Sequence, residues 1–136
     1  MSSCGRLGWK NNMELIALWT AFVLSTTDGD TFRARVSLWP DLTMETSIRI
    51  AGIDTPELRG KCPQEKKLAT EAREALTALL KGHTVFLSHV EPDKYGGRFV
   101  GVVHTADGVD VARELLKRGL AATYSGAGSK HNWCAK

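Results

Sequence analysis

Nowhere does this chain hold an apolar run approaching the roughly 20 residues that a helix needs to span a bilayer. A helical membrane protein is therefore excluded as a reading, and no membrane partner is expected. Internal repeats and low-complexity linkers are also missing, so nothing divides the 136 residues into modules, and the length suits one domain. A strong excess of either charge is lacking too: 18 Lys and Arg stand against 15 Asp and Glu, for a net charge of +3. That mild basicity is compatible with a polyanionic partner and decides nothing alone. Cysteine is scarce, and three residues cannot all pair within one chain.

What is present starts with residues 13–25, which have the length of a signal-peptide core. They run straight into Thr26-Thr27-Asp28-Gly29-Asp30 without a small-residue cleavage pattern and with little upstream basic charge, so they read as a first strand. Residues 1–12 are polar, aperiodic and carry Cys4; they read as a flexible arm before a domain spanning 13–136. Cys4 is then the odd thiol. A bond between Cys62 and Cys134 would tie the C-terminal tail to the middle of the domain and point to an oxidising compartment. Two unpaired thiols in a reducing cytosol fit the spacing equally well. A zinc site on Cys62, His131 and Cys134 has suitable ligand types but lacks a further ligand and the close Cys pairs of such sites.

Residues 15–24 are almost continuously apolar, as in a strand buried on both faces. Phe32, Ala34, Val36 and Leu38 then alternate with Arg33, Arg35, Ser37 and Trp39, the period of a half-buried strand, and Asp28-Gly29-Asp30 reads as the intervening hairpin turn. A third strand is predicted over 46–53, with Ile48 and Ile50 opposite Arg49. After Cys62 the period changes: Leu68, Ala72, Ala75, Leu76 and Leu79 share a helix face, with Pro63 in its first turn and Gly82 at its stop. Strands over 84–90 and 98–105 follow, then a short helix from Val111 with Asp110 as N-cap and Gly119 just beyond its end. The order β-β-β-α-β-β-α fits a mainly β, α+β protein: a five-stranded Greek-key OB barrel with two to three helices.

Polar residues that folding does not require gather in three islands: 28–31, 49–57 and 93–98. Each is weak alone, since Asp-Gly is a common turn and an isolated strand Arg is usually solvated. In combination they read Asp-Gly-Asp-Thr, then Arg-Ile-Ala-Gly-Ile-Asp-Thr-Pro-Glu, then Asp-Lys-Tyr-Gly ahead of Arg98, with a late Gly-Leu-Ala at 119–121. In that order and spacing the chain resembles the staphylococcal nuclease family over roughly Leu15 to Tyr124.

The resemblance implies an OB-like barrel and calcium-dependent hydrolysis of DNA or RNA phosphodiesters with little sequence preference. It implies Asp30, Asp54 and the carbonyl of Thr55 as ligands of one ion, an all-oxygen set that suits Ca2+. Asp28 would support them as an outer carboxylate, and Glu57 would orient or deprotonate the attacking water. Arg49 and Arg98 would grip the phosphate, Lys94 and Tyr95 would contact the flanking phosphate and nucleotide, and Tyr124 would receive a base or serve in packing. The family also suggests a secreted or periplasmic protein, and a monomer is expected. The main alternative is a non-catalytic nucleic-acid- or peptide-binding OB module.

Two departures stand out. Gly97 is inserted before Arg98, where the family pattern is often Asp-Lys-Tyr-Gly-Arg; a bulge can absorb such a residue or re-aim the side chain that follows. The chain also ends soon after Trp133, without the family's last long helix.

Overall fold

A computed structural model describes residues 17–80, 82–126 and 130–134. The expected arm at 1–12, with Cys4, lies outside the described residues, as do Leu15 and Ile16. In chain order the elements are β1 (Leu18–Asp28), β2 (Thr31–Trp39), β3 (Leu42–Ile50), β4 (Ile53–Asp54), α1 (Pro63–Leu80), β5 (Thr84–Pro92), β6 (Arg98–Thr105), α2 (Val111–Lys117) and β7 (Ala122–Thr123). Five strands close a barrel in the order β1-β2-β3-β6-β5, while the two-residue β4 and β7 pair as a separate small sheet. This is the OB-type barrel expected from the sequence, with two helices among the described residues.

Alternation builds the core. Phe32, Ala34 and Val36 of β2, Ile48 and Ile50 of β3, and Val85 and Leu87 of β5 point inward, each 6% exposed or less. One fully buried Leu or Phe of this kind contributes about 1.5–3 kcal/mol. The strand β1 departs from its expected burial on both faces. Only Ala21 and Val23 are buried, whereas Leu18, Phe22 and Leu24 are exposed on its outer side. A barrel strand has one face inside, and a continuous apolar run does not reveal that its other face is left exposed. Leu38 is likewise exposed, because it lies near the β2–β3 turn where Trp39 also faces outward. The third strand extends over Leu42–Ile50, ending earlier than predicted; Gly52, at φ +86°, turns the chain before β4.

In α1 the buried stripe is Ala69, Ala72, Leu76 and Leu80, while Leu68, Ala75 and Leu79 are only partly covered. Pro63 opens the helix as expected. The α2 cap is also as expected: the Asp110 side chain accepts from the Arg113 N–H at 3.3 Å. No described helix is long and apolar enough to cross a membrane.

The barrel is closed by a parallel pairing of β3 with β6, in register Ser47↔Arg98 to Ile50↔Gly101. This seam places Arg49 and Arg98 on adjacent strands. Cys62 and Cys134, 72 residues apart, form a disulfide that brings the tail back to the start of α1, and the Cys62–His131–Cys134 zinc alternative therefore falls away.

Candidate active site

The three polar islands meet at one rim of the barrel. Asp28 ends β1 and pairs with Thr31 across the tight turn holding Gly29 and Asp30. Gly29 is needed for close approach: a Cβ there would sit 2.7 Å from Cβ of Ala72 and 3.0 Å from Oγ1 of Thr55. The turn is latched to β3 by the Ile50 N–H, which donates to the Asp30 carbonyl at 2.8 Å. One carboxylate oxygen of Asp30 accepts from the Thr31 hydroxyl at 3.0 Å, and the other accepts from Nη2 of Arg49 at 3.3 Å. Both members of that ion pair have side chains only 12% exposed.

Asp54 arrives on β4, which pairs with Ala122 of β7 and so fixes the chain leading to Tyr124. Asp54, Thr55 and Pro56 are buried, and Glu57 is exposed just beyond them. Arg98 starts β6, and its Nε donates to Oδ2 of Asp93 at 3.1 Å. The inserted Gly97 is absorbed in the turn, where it and Gly96 both take the left-handed backbone conformation that glycine accepts readily, with φ +78° and +77°. Arg98 still reaches the rim.

A cleft of about 220 Å3 collects Asp28, Asp30, Asp54 and Glu57 with Arg49, Arg98 and Thr55. Two of these carboxylates, Asp28 and Asp54, are held above their ordinary acidity range, chiefly by burial. Burial pushes the Asp28 carboxyl above its ordinary value, and the charges of Asp30 and Glu57 push in the same direction. Asp54 is also raised, chiefly by burial and further by Asp30, while the Trp133 indole and Lys130 work against the shift. Asp93 behaves oppositely: despite its burial, the hydrogen bond and charge of Arg98 hold it below the usual carboxylate range.

The donor set fits a hard cation. Asp30 and Asp54 offer buried carboxylate oxygens beside the Thr55 backbone, in a cluster whose mutual repulsion a cation would relieve. Among the described residues no three of His, Cys, Asp and Glu form a ready metal cage, so water and substrate oxygens would have to complete the coordination.

A second groove, of about 350 Å3, meets this cleft on its guanidinium side and is lined by Lys94, Tyr95 and Tyr124 as well as Arg49 and Arg98. Lys94 is engaged there within the fold, donating to the Gly126 carbonyl at 2.7 Å and lying 5.3 Å from the Tyr95 ring centre. Tyr95 is 80% exposed. Tyr124 is half-buried, with the Arg49 guanidinium 5.9 Å from its ring centre.

Three residues at this rim escaped the sequence reading. Lys130 lies 3.5 Å from Oε2 of Glu57 and 3.9 Å from Oδ1 of Asp54. Trp133 bonds Asp54 through its indole N–H. Glu65 is buried in the first turn of α1 and accepts the backbone N–H groups of Glu57 and Lys61 on its two oxygens, both at 3.1 Å. The available signal was the Cys62–Cys134 pair, because closing it carries Trp133 toward the residues just before Cys62.

The chain is thus a closed OB-type barrel with clustered carboxylates and paired guanidiniums at one rim. Residues 47–134 match the family described as "Staphylococcal nuclease homologue". The chain belongs to the staphylococcal nuclease family. It is 30% identical over 128 residues to a probable endonuclease of Schizosaccharomyces pombe, with 78% of this chain and 56% of that protein covered. It is 36% identical over 129 residues to the probable endonuclease lcl3 of Neosartorya fischeri, covering 75% of this chain and 43% of the relative. A probable staphylococcal-like nuclease of Oryza sativa subsp. japonica is 37% identical over 84 residues, 62% of this chain and 23% of that protein. The chain thus spans about half the length of the first two of these relatives.

Proposed function

We propose that this protein is a calcium-dependent nuclease that hydrolyses phosphodiester bonds of DNA or RNA with little sequence preference. The observation that carries the reading is the single cleft in which Asp30, Asp54 and Glu57 face Arg49 and Arg98. The names of the relatives, probable endonucleases, support the same class of reaction.

In this reading Arg49 and Arg98 bind the non-bridging oxygens of the scissile phosphate. Their planar, fixed-charge donors stabilise the negative charge that accumulates as phosphorus becomes five-coordinate. Asp30 holds Arg49 and Asp93 holds Arg98, so each guanidinium is oriented before substrate arrives. Glu57 positions the attacking water and accepts its proton, and the 5′ oxygen departs from the opposite side. Asp30, Asp54 and the Thr55 carbonyl would hold calcium, with Asp28 supporting them from outside, and the ion would supply positive charge beside the phosphate and the water. Lys94 and Tyr95 contact the neighbouring phosphate and nucleotide, and Tyr124 offers a ring to a base without selecting among bases.

The test is incubation of purified protein with single-stranded and duplex DNA and RNA, in calcium, magnesium, manganese or chelator. Fragments that appear with calcium and vanish with chelator support the proposal. Binding without cutting in every metal would replace it with a binding module.

A further inference from the structure

On the carboxylate side of the cleft lies another groove, of about 480 Å3, that the chemistry above does not use. It forms where residues 130–133 of the tail lie against the loop at 59–61, and it shares Asp54 and Glu57 with the cleft. Its walls carry the cations Arg59, Lys61 and Lys130 together with His131 and Trp133. The two rings meet edge to face with centres 4.4 Å apart, forming an aromatic corner beside the charges. Glu65, the remaining acid of this groove, is buried with both oxygens engaged by backbone N–H groups, so it presents little anionic surface to a ligand.

The arrangement is continuous. The Tyr124 groove joins the cleft on its guanidinium side, the tail groove joins it on its carboxylate side, and Lys130 borders all three. Cationic side chains beside an aromatic surface are what a single nucleic-acid strand needs from a groove: charge for its phosphates and ring faces for its bases.

We propose that the tail groove is a second nucleotide subsite, so that one strand passes through the cleft with a flanking nucleotide held on each side of the cut. This rests on the nuclease reading. Arg59 and Lys61 bind the flanking phosphate, and the His131–Trp133 corner receives the base. The Cys62–Cys134 disulfide keeps the tail wall against its loop.

The experiment is fluorescence anisotropy of a labelled single-stranded oligonucleotide with chelator present, so that the strand stays intact and the measurement does not depend on cutting. The pair Arg59→Ala and Lys61→Ala should weaken binding about tenfold at low salt and flatten the salt slope by about 0.7, the contribution of one neutralised phosphate on a single strand. The pair Arg59→Gln and Lys61→Gln, which preserves stem length, should do the same and guards against an effect of alanine on folding. Unchanged affinity and slope in both folded pairs would overturn the subsite. A closed single-stranded DNA circle separates this from the underlying chemistry. If wild-type protein with calcium cuts neither circle nor linear strand, the nuclease reading fails while the binding result still judges the subsite. If it trims linear strands from their ends and spares the circle, the through-running strand is refuted.

Discussion

The indole N–H of Trp133 donates to Oδ2 of Asp54 at 3.4 Å, across 79 residues of chain. A residue from the tail thereby orients a carboxylate assigned to the metal. Partners of this kind typically change metal affinity by about 10–100-fold when removed. Trp133→Phe keeps the ring and deletes the donor, so calcium binding measured by calorimetry should weaken about tenfold. An unaltered affinity would show that this bond does not position Asp54.

Arg98 is expected to carry a large share of catalysis. Arg98→Ala should reduce kcat by about 100–1,000-fold, as loss of a donor to a developing anion does elsewhere. Arg98→Lys should recover little, since a point charge cannot reproduce the planar fork. Steady-state kinetics on a folded variant, verified by circular dichroism, checks both; near-wild-type turnover in the alanine variant would remove Arg98 from the phosphate grip.

The Asp93–Arg98 pair also gives a signed pH dependence. Asp93 titrates below its ordinary 3.8 in the folded protein. Its contribution to stability is therefore present above that value and fades as pH falls through the lower, folded one. Asp93→Asn should be less stable than wild type at neutral pH, and the two stability curves should converge at strongly acid pH. Parallel curves in urea titrations would contradict the assignment.

Asp28 and Asp54 shift in the other direction. A carboxyl raised on folding binds its proton more tightly in the native state, so metal-free protein should lose stability as pH rises from about 3.8 through the raised values, then level off. Calcium should reverse the loss, by about 2.7 kcal/mol at one hundred times its Kd. Thermal melts at pH 7 with calcium or chelator should differ by several degrees, and Asp54→Asn should abolish the difference.

The Cys62–Cys134 crosslink closes a long loop, worth about 4 kcal/mol by the chain-entropy model. Non-reducing mass spectrometry of native protein should find these two cysteines linked. Reduction should lower the denaturation midpoint and release Trp133 and Lys130 from Asp54 and Glu57. Free thiols at both positions in protein from its own compartment would dispose of the brace.

Much of this was legible because local pattern and global fold agree. The alternation in β2, the helix stripe after Pro63 and the caps at Asp110 and Gly119 all report tertiary position through short-range periodicity. The meeting of Asp30, Arg49, Asp54 and Arg98 was legible only through motif order, since no spacing within one element brings them together. The exposure of Phe22 and Leu24 was illegible, because an apolar run does not state whether anything covers it. Lys130 and Trp133 were missed for a related reason: the tail has no period, and its position depends on a crosslink that left alternatives open in the sequence.

The parallel seam between β3 and β6 joins positions 47 and 98 and carries both guanidiniums of the rim. Local hairpins can form on either side of it early, while a contact of such sequence separation comes late. A chain at that halfway stage owns both guanidiniums yet has not brought them side by side. On the proposed reading, hydrolytic competence would therefore arrive only as the cylinder shuts.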